Sequence, residues 1–339
     1  MSEYRDLYRR AANGEGQVVS FKFTNVHPRA IVQIVHDISE HSLRYREFAS
    51  ALNDAGFYVC GNDLIGHGMS KQGHPGCFGL RKNSYEGLLG DIDSLFREVS
   101  NEVGEDVPRI IIGAGFGAML SELYTIRYGN IAMIVSMENL EIPGGISFIK
   151  MNANNHIMRK GYNSISESVH NMMYQTAKLG GGDVYSDFYW VSKVREEIDK
   201  YIQDDNCGCM LTASAYREMI RVIEELRSKK GIVRLPDIPI YMVAGAEDQR
   251  GGCGNAVMKI ATMLTEKGHN EVAYKLYKDC YHDILHDSCK ACVTKDIIAQ
   301  PDGIAPRRGE TFCEACFAAY DSPWHFCLQQ GSWFRMPRI

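Results

Sequence analysis

A mostly parallel β-sheet covered by helices on both faces is the fold class this sequence predicts, and three observations carry it. Short β-branched runs alternate with helical stretches along most of the 339 residues, the pattern of strands buried on both sides. A glycine-rich turn joins one such run directly to a helical pattern, in Arg109-Ile110-Ile111-Ile112-Gly113-Ala114-Gly115-Phe116-Gly117-Ala118-Met119-Leu120. The alternation lapses between about residues 139 and 233 and then resumes. Helices inserted into such a sheet commonly cover a site at the strand C-termini.

The elements follow in order. Residues 17–24 alternate like a strand, and 30–35 form a short apolar strand. Residues 44–55 have helical spacing and end at Gly56, a natural C-cap. A strand at 57–60, a helix at 85–103, a strand at 109–112, a helix at 116–128 and a strand at 131–135 come next. Within the lapse, helical patches cover 164–178, 192–202 and 213–229, with joints such as Gly180-Gly181-Gly182 and Asp204-Asp205-Asn206. A strand at 238–243, a helix at 255–266, a strand at 271–277 and a helix at 286–299 close the pattern. The expected division is a core in two parts, 1–138 and 234–300, a helical cap at 139–233, and an irregular Cys-rich tail at 301–339.

Composition narrows the classes of function. Hydrophobic residues make up 45% and charged residues 23%, ordinary globular usage. A net charge of -5 supplies no attraction for nucleic acid. No apolar run approaches the roughly 20 residues that span a bilayer, and the charged start Met1-Ser2-Glu3-Tyr4-Arg5-Asp6 lacks a signal-peptide core. A cytoplasmic protein is therefore expected, with its 11 cysteines as thiols rather than disulfides.

Several motifs then fall in order, each beyond an expected strand. They are His36-Asp37-Ile38-Ser39-Glu40-His41, Asp63-Leu64-Ile65-Gly66-His67-Gly68-Met69-Ser70, the turn around Gly115, Ala244-Gly245-Ala246-Glu247-Asp248, and Tyr281-His282-Asp283. Together with Trp190-Val191-Ser192-Lys193 and Asp205-Asn206-Cys207-Gly208, they resemble the monoacylglycerol lipase and lysophospholipase-like branch of the α/β-hydrolases, of serine aminopeptidase S33 type, over roughly residues 15–300. The resemblance implies an α/β-hydrolase fold, a lipid-like ester as ligand and no cofactor. It implies a serine on a Gly-x-Ser-x-Gly elbow, with His282 as base and Asp248 as the acid that orients it. It places the oxyanion donors at the backbone N–H groups of Ile38 and Phe116.

The departures bear on activity. Gly115 stands where that branch carries its serine, Ala114 replaces a histidine, and Ile65 replaces an arginine. Asp37 replaces a glycine and puts a carboxylate beside the oxyanion loop. Loss of a triad serine costs about a million-fold in a subtilisin example. A weak or inactive hydrolase is expected. Two readings follow: a non-catalytic protein that binds an acyl or ester ligand, and residual hydrolysis by a water beside Gly115 with His282 as base. His36, His41 and His67 are expected to support loops, and Met172, Met173, Tyr174, Phe188 and Trp190 to pack in the cap or line an acyl pocket.

Two other patterns remain. Gly113-Ala114-Gly115-Phe116-Gly117-Ala118 matches a dinucleotide fingerprint, with Glu138 where a ribose-binding acid would stand. Against it, the strand before this turn is not the first of the chain, and the flanking motifs would go unexplained. Cys289-x-x-Cys292 and Cys313-x-x-Cys316 have the spacing of a four-cysteine zinc site, with Cys280, His325 and Cys327 nearby in sequence.

Overall fold

Runs of β-branched residues build the sheet because its inner strands are buried on both faces. The computed structural model describes residues 4–71, 74–174, 186–228 and 231–303. Its eight strands are β1 (Tyr4–Arg10), β2 (Gln17–Phe23), β3 (Ile31–Val35), β4 (Tyr58–Asn62), β5 (Arg109–Ala114), β6 (Met133–Met137), β7 (Ile240–Gly245) and β8 (Val272–Tyr277). They lie in the order β1-β2-β4-β3-β5-β6-β7-β8. β1 and β2 pair antiparallel, and β2 pairs antiparallel with β4. All other neighbours are parallel, with Ile31 beside Arg109 and Ile110 beside Met133. This is the α/β-hydrolase fold.

Helices α1 (Arg46–Asp54), α2 (Tyr85–Val103) and α3 (Phe116–Tyr128) follow β3, β4 and β5. Helices α4 (Ile146–Lys160), α5 (Glu167–Met173), α6 (Arg195–Gln203) and α7 (Ala213–Arg227) stand between β6 and β7. Helices α8 (Asn255–Glu266) and α9 (Lys290–Ala299) follow β7 and β8. One sheet face, with Val32, Ile34, Ile110, Ile112 and Val135, packs on Phe48 and Leu52 of α1 and on Val293 and Ile297 of α9. The other, with Ile31, Val35, Ile111 and Ile134, packs on α2, α3 and α8 through residues such as Leu89, Leu120 and Ile260. Among the described residues, no helix is long and apolar enough to cross a membrane.

Two elements were not legible in the pattern. β1 reads as charged because it is an edge strand, and charge on an edge discourages pairing with another chain. It nevertheless pairs with β2 from Tyr4 beside Phe23 to Arg10 beside Gln17. α4 buries only the stripe Ile149, Ala153 and Ile157, while Phe148, Met151 and Met158 face solvent. Those exposed apolar residues blur its helical period.

Two expectations near the chain's end are corrected. The last helix starts at Lys290 rather than 286, and residues 284–286 form a short 3₁₀ turn instead. The Asp287 carboxylate accepts the N–H groups of Tyr281 at 2.7 Å and of Ser288 at 2.7 Å, an alternative to helical bonding that delays the start. The same turn brings Cys289 back to Cys280, and the two form a disulfide with Cα atoms 6.5 Å apart. The cysteines are therefore not all thiols.

Glycine is required at 117, where α3 leaves the sheet. A Cβ there would strike the carbonyl oxygens of Val35 and His36 in β3 and its following loop. Gly117→Ala is therefore expected to lower stability by about 1–3 kcal/mol through overpacking. Urea unfolding monitored by circular dichroism checks this, and an unchanged midpoint would contradict the packing account.

Candidate active site

Five strand ends converge on one buried cluster. β3 delivers Asp37 and Ile38, β5 delivers Gly115, and β6 delivers Glu138. β7 delivers Asp248 and Arg250, and the loop after β8 delivers His282. Parallel strands place their following loops at one edge of the sheet, so residues far apart in sequence meet there.

Gly115 occupies a sharp turn, with φ 53° and ψ −114°. Glycine alone adopts that conformation without steric cost. Its N–H bonds to the Met137 carbonyl at 3.0 Å, which fixes the turn against β6. Helix α3 begins at the next residue, so the Phe116 N–H is one of its unpaired N-terminal donors. The Asp37 carboxylate takes that donor: its Oδ1 accepts the Phe116 N–H at 2.6 Å. A positive helix end favours an anion there.

The other Asp37 oxygen faces two cations. Oδ2 lies 3.3 Å from His282 Nε2 and 3.2 Å from Arg250 Nη1. On its other side, His282 Nδ1 lies 2.9 Å from Asp248 Oδ2. Asp248 Oδ1 accepts the Arg250 N–H at 2.9 Å, so the acid also shapes the turn that carries the arginine. Asp248, His282, Gly115 and Phe116, expected from the sequence, thus meet at one place. Ile38 lies beside them and lines the two clefts that flank the cluster.

Charge pairing governs the protonation states. Burial penalises the Asp37 carboxylate, but Arg250, His282 and the Phe116 N–H outweigh burial and hold its pKa at about 2. Burial likewise penalises an imidazolium at His282, and Arg250 opposes it too. Asp248 and Asp37 prevail, and its pKa rises to about 10. His282 is therefore a cation at neutral pH, clamped between two carboxylates. Glu138 is driven the other way, well above the usual carboxylate range, chiefly by burial. One of its oxygens accepts the Ile284 N–H at 3.1 Å, which holds the loop after His282.

Arg250 was not anticipated from the sequence. It stands two residues beyond Asp248, and only the turn at 248–252 aims its side chain inward. Its guanidinium lies 4.8 Å from the ring centroids of both Tyr174 and Trp190. The Trp190 ring is 5.4 Å from the His282 ring. A cation between two aromatic faces is stabilised where water cannot reach it. Tyr174 and Trp190, expected as packing residues, thus also contact the charged centre.

The supporting histidines behave as hydrogen-bonded struts. His36 Nε2 accepts the Leu64 N–H at 2.8 Å, which assigns the proton to Nδ1, 2.6 Å from the Asp37 carbonyl. Burial pushes His67 down to about 3, so it is neutral. Asp63 accepts the N–H groups of Ser42 and Met69 at 2.8 and 2.7 Å and joins the two loops.

A shallow cleft, open to solvent, adjoins the cluster. Its walls include Met119, Leu140, Met173, Tyr216, Met219 and Ile223, with Tyr174 and Arg250 at the inner end. A second shallow cleft is bordered by Asp37, Glu138, Trp190 and His282. The dinucleotide reading meets an obstacle here. The donor at the start of α3 that would face a pyrophosphate is engaged by Asp37, and Glu138 points at the His282 loop. Of the candidate zinc ligands, Cys289 is bonded to Cys280 and Cys292 lies exposed on α9. Cys313 and Cys316 lie outside the described residues.

Fold and cluster together define an α/β-hydrolase, and the comparisons with known proteins agree. Residues 26–289 match the family described as serine aminopeptidase, S33; the chain belongs to that family. It is similar to the monoglyceride lipase of Mus musculus, at 23% identity over 296 residues, covering 84% of this chain and 85% of the mouse protein. A 103-residue stretch, 29% of this chain, is 31% identical to the monoglyceride lipase homolog of Monkeypox virus and covers 33% of it. Among solved structures, the thermostable carboxyl esterase of Bacillus coagulans shares the fold with a TM-score of 0.81 at 24% identity, covering 90% of this chain and 99% of the esterase.

The ion-pair cluster sets a pH window with opposite signs at its two edges. His282 is raised from 6.5 to about 10, so its contribution is full below 6.5 and is lost as pH rises through 10. Asp37 is lowered from 3.8 to about 2, so its contribution is full above 3.8 and is lost as pH falls through 2. Nitrogen-15 NMR of the His282 ring should show an imidazolium at pH 7. In Asp37→Asn the ring should lose its proton at a lower pH, because Arg250 Nη1, 3.4 Å from Nε2, is left facing it. A neutral ring at pH 7 in the unmodified protein would overturn the assignment.

Proposed function

We propose that this chain is a ligand-binding member of the S33 family whose hydrolytic centre is silenced from within. In this reading Gly115 stands at the nucleophile position, Asp248 and His282 at the acid and base positions, and Phe116 at an oxyanion position. The observation that carries the reading is the Asp37 carboxylate. A Cβ built on Gly115 would land on that carboxyl group, inside van der Waals contact. The position carries no side chain, and Asp37 fills the space that one would need. Asp37 also consumes the Phe116 donor on which a developing oxyanion would rely.

Residual hydrolysis by a water with His282 as base is the weaker reading. A base must hold a free lone pair at the working pH, and His282 is held protonated with Nε2 turned to Asp37 and Arg250. Ligand binding is supported by the apolar cleft, whose methionines and aromatic rings suit an acyl chain. Of the inserted helices, α5 supplies Met173 and α7 supplies Tyr216, Met219 and Ile223 to its wall, consistent with a cap over an ester or acyl ligand. Mouse monoglyceride lipase, similar over most of both chains, is named for an ester of that kind.

Restoration of activity is the direct test. Gly115→Ser alone should gain no esterase activity and no fluorophosphonate labelling, because Asp37 occupies the space and the donor. Asp37→Gly combined with Gly115→Ser should gain both, toward a short-chain aryl ester. The gain should be a substantial fraction of the about million-fold that a triad serine supplies. Turnover by the unmodified chain that disappears in His282→Ala would overturn the silenced-site reading.

Binding is tested separately. A fluorescent fatty-acyl probe should bind the unmodified protein, and Met219→Trp, which fills the cleft, should weaken binding by about tenfold or more, a difference near 1.4 kcal/mol. Equal affinity of the two proteins would place the ligand elsewhere.

A further inference from the structure

The segment after α6, Asp204-Asp205-Asn206-Cys207, folds onto the loop that follows β3. His41 Nε2 lies 2.8 Å from Asp204 Oδ2. His41, Asp204 and Cys207 each offer one donor atom, and the three atoms lie within 4.8 Å of one another. We propose that His41, Asp204 and Cys207 form a zinc site that clasps the inserted helices to the loop carrying Asp37.

The donor set is the first argument. One imidazole nitrogen, one carboxylate oxygen and one thiolate sulfur suit a borderline-soft divalent ion, and zinc is bound by these three groups. Zinc bonds of about 2.0–2.3 Å in tetrahedral arrangement hold ligand atoms roughly 3.5 Å apart. Small side-chain rotations therefore bring the three atoms to the required distances. With three protein ligands, the fourth position would take water.

Preorganisation is the second. Asp204 Oδ1 accepts the Asn206 N–H at 2.8 Å, which leaves Oδ2 turned to His41. The Cys207 N–H bonds to the Asp204 carbonyl at 2.9 Å, so aspartate and cysteine belong to one tight turn. That turn is bound to the other loop without any ion. The Ser39 carbonyl accepts the Gly208 N–H at 2.8 Å and the Tyr201 hydroxyl at 2.7 Å. The Ser39 hydroxyl donates to the Cys209 carbonyl at 2.8 Å. The metal would therefore enter a frame already closed on both sides.

Charge and access are the third. Arg44 hydrogen-bonds the Cys207 sulfur and is also paired with Glu40 at 2.9 Å and with Asp283, which offset its charge. A zinc ion with one carboxylate and one thiolate leaves the site neutral. The Cys207 proton leaves to solvent as the sulfur–zinc bond forms, so binding is tighter at higher pH. His41 is buried, but Asp204 and Cys207 are partly exposed and offer the ion a path. The site is separate from the Cys289, Cys292, Cys313 and Cys316 spacing and makes no use of those residues.

Cobalt(II) added to the full chain after chelation, under reducing conditions, tests the site. A thiolate-to-cobalt charge-transfer band with tetrahedral d–d bands is expected, displaced by about one equivalent of zinc. The band should vanish in Cys207→Ser, fall sharply in His41→Asn, and persist in Cys313→Ser/Cys316→Ser. Zinc should raise the unfolding temperature of the unmodified chain and not that of Cys207→Ser. No band, a band that survives Cys207→Ser, or a band lost only in the tail variant would overturn the proposal. If Cys207→Ser fails to fold by circular dichroism, His41→Asn decides in the same way.

Discussion

The buried carboxylate of Asp37 is the interaction on which the centre of this molecule depends. It joins a helix N-terminus, an arginine and a histidine that come from three different strand ends. A buried charge pair is strongly destabilising to break, since each partner is then left alone in a medium that cannot solvate it. The loop after β3, the turn after β7 and the loop after β8 are therefore tied together by electrostatics as well as by packing.

That arrangement explains several neighbours that would otherwise look unrelated. Arg250 can be buried because Asp37 pairs with it and Tyr174 and Trp190 enclose its faces. His282 can remain charged because Asp248 lies on one nitrogen and Asp37 on the other. Tyr174 and Trp190 come from the chain between β6 and β7, so the inserted segment is part of the electrostatic shell. Glu138, pushed toward its neutral form by burial, stands beside this cluster of two carboxylates and two cations.

In the proposed reading the centre is stable rather than catalytic. Catalysis asks for a base with a free lone pair, donors held open for charge that develops later, and room for a reacting atom. Here the His282 pKa is raised, the Phe116 donor is engaged by Asp37, and Asp37 fills the space above Gly115, which is what the proposed reading rests on. Exchange of catalytic poise for stability is a known trade in enzyme sites. The apolar cleft is untouched by that exchange, which is why binding and chemistry separate in the proposed reading.

Much of this was legible in the residues alone. The strand–helix alternation, the glycine turn before Phe116, and the order of Asp37, Asp248 and His282 along the chain pointed to the fold and to strand ends that the structure brings together. These are local signals, because periodicity and turn chemistry act over a few residues. β1 and α4 escaped because an edge strand carries charge and a half-exposed helix carries apolar residues, so neither shows a clean period. The tertiary structure alone decided that Arg250 turns inward, that Cys280 meets Cys289, and that Asp37 fills the space at Gly115. Contacts between residues 37, 115, 250 and 282 depend on how parallel strands align their ends. No pattern within any one segment encodes that distance.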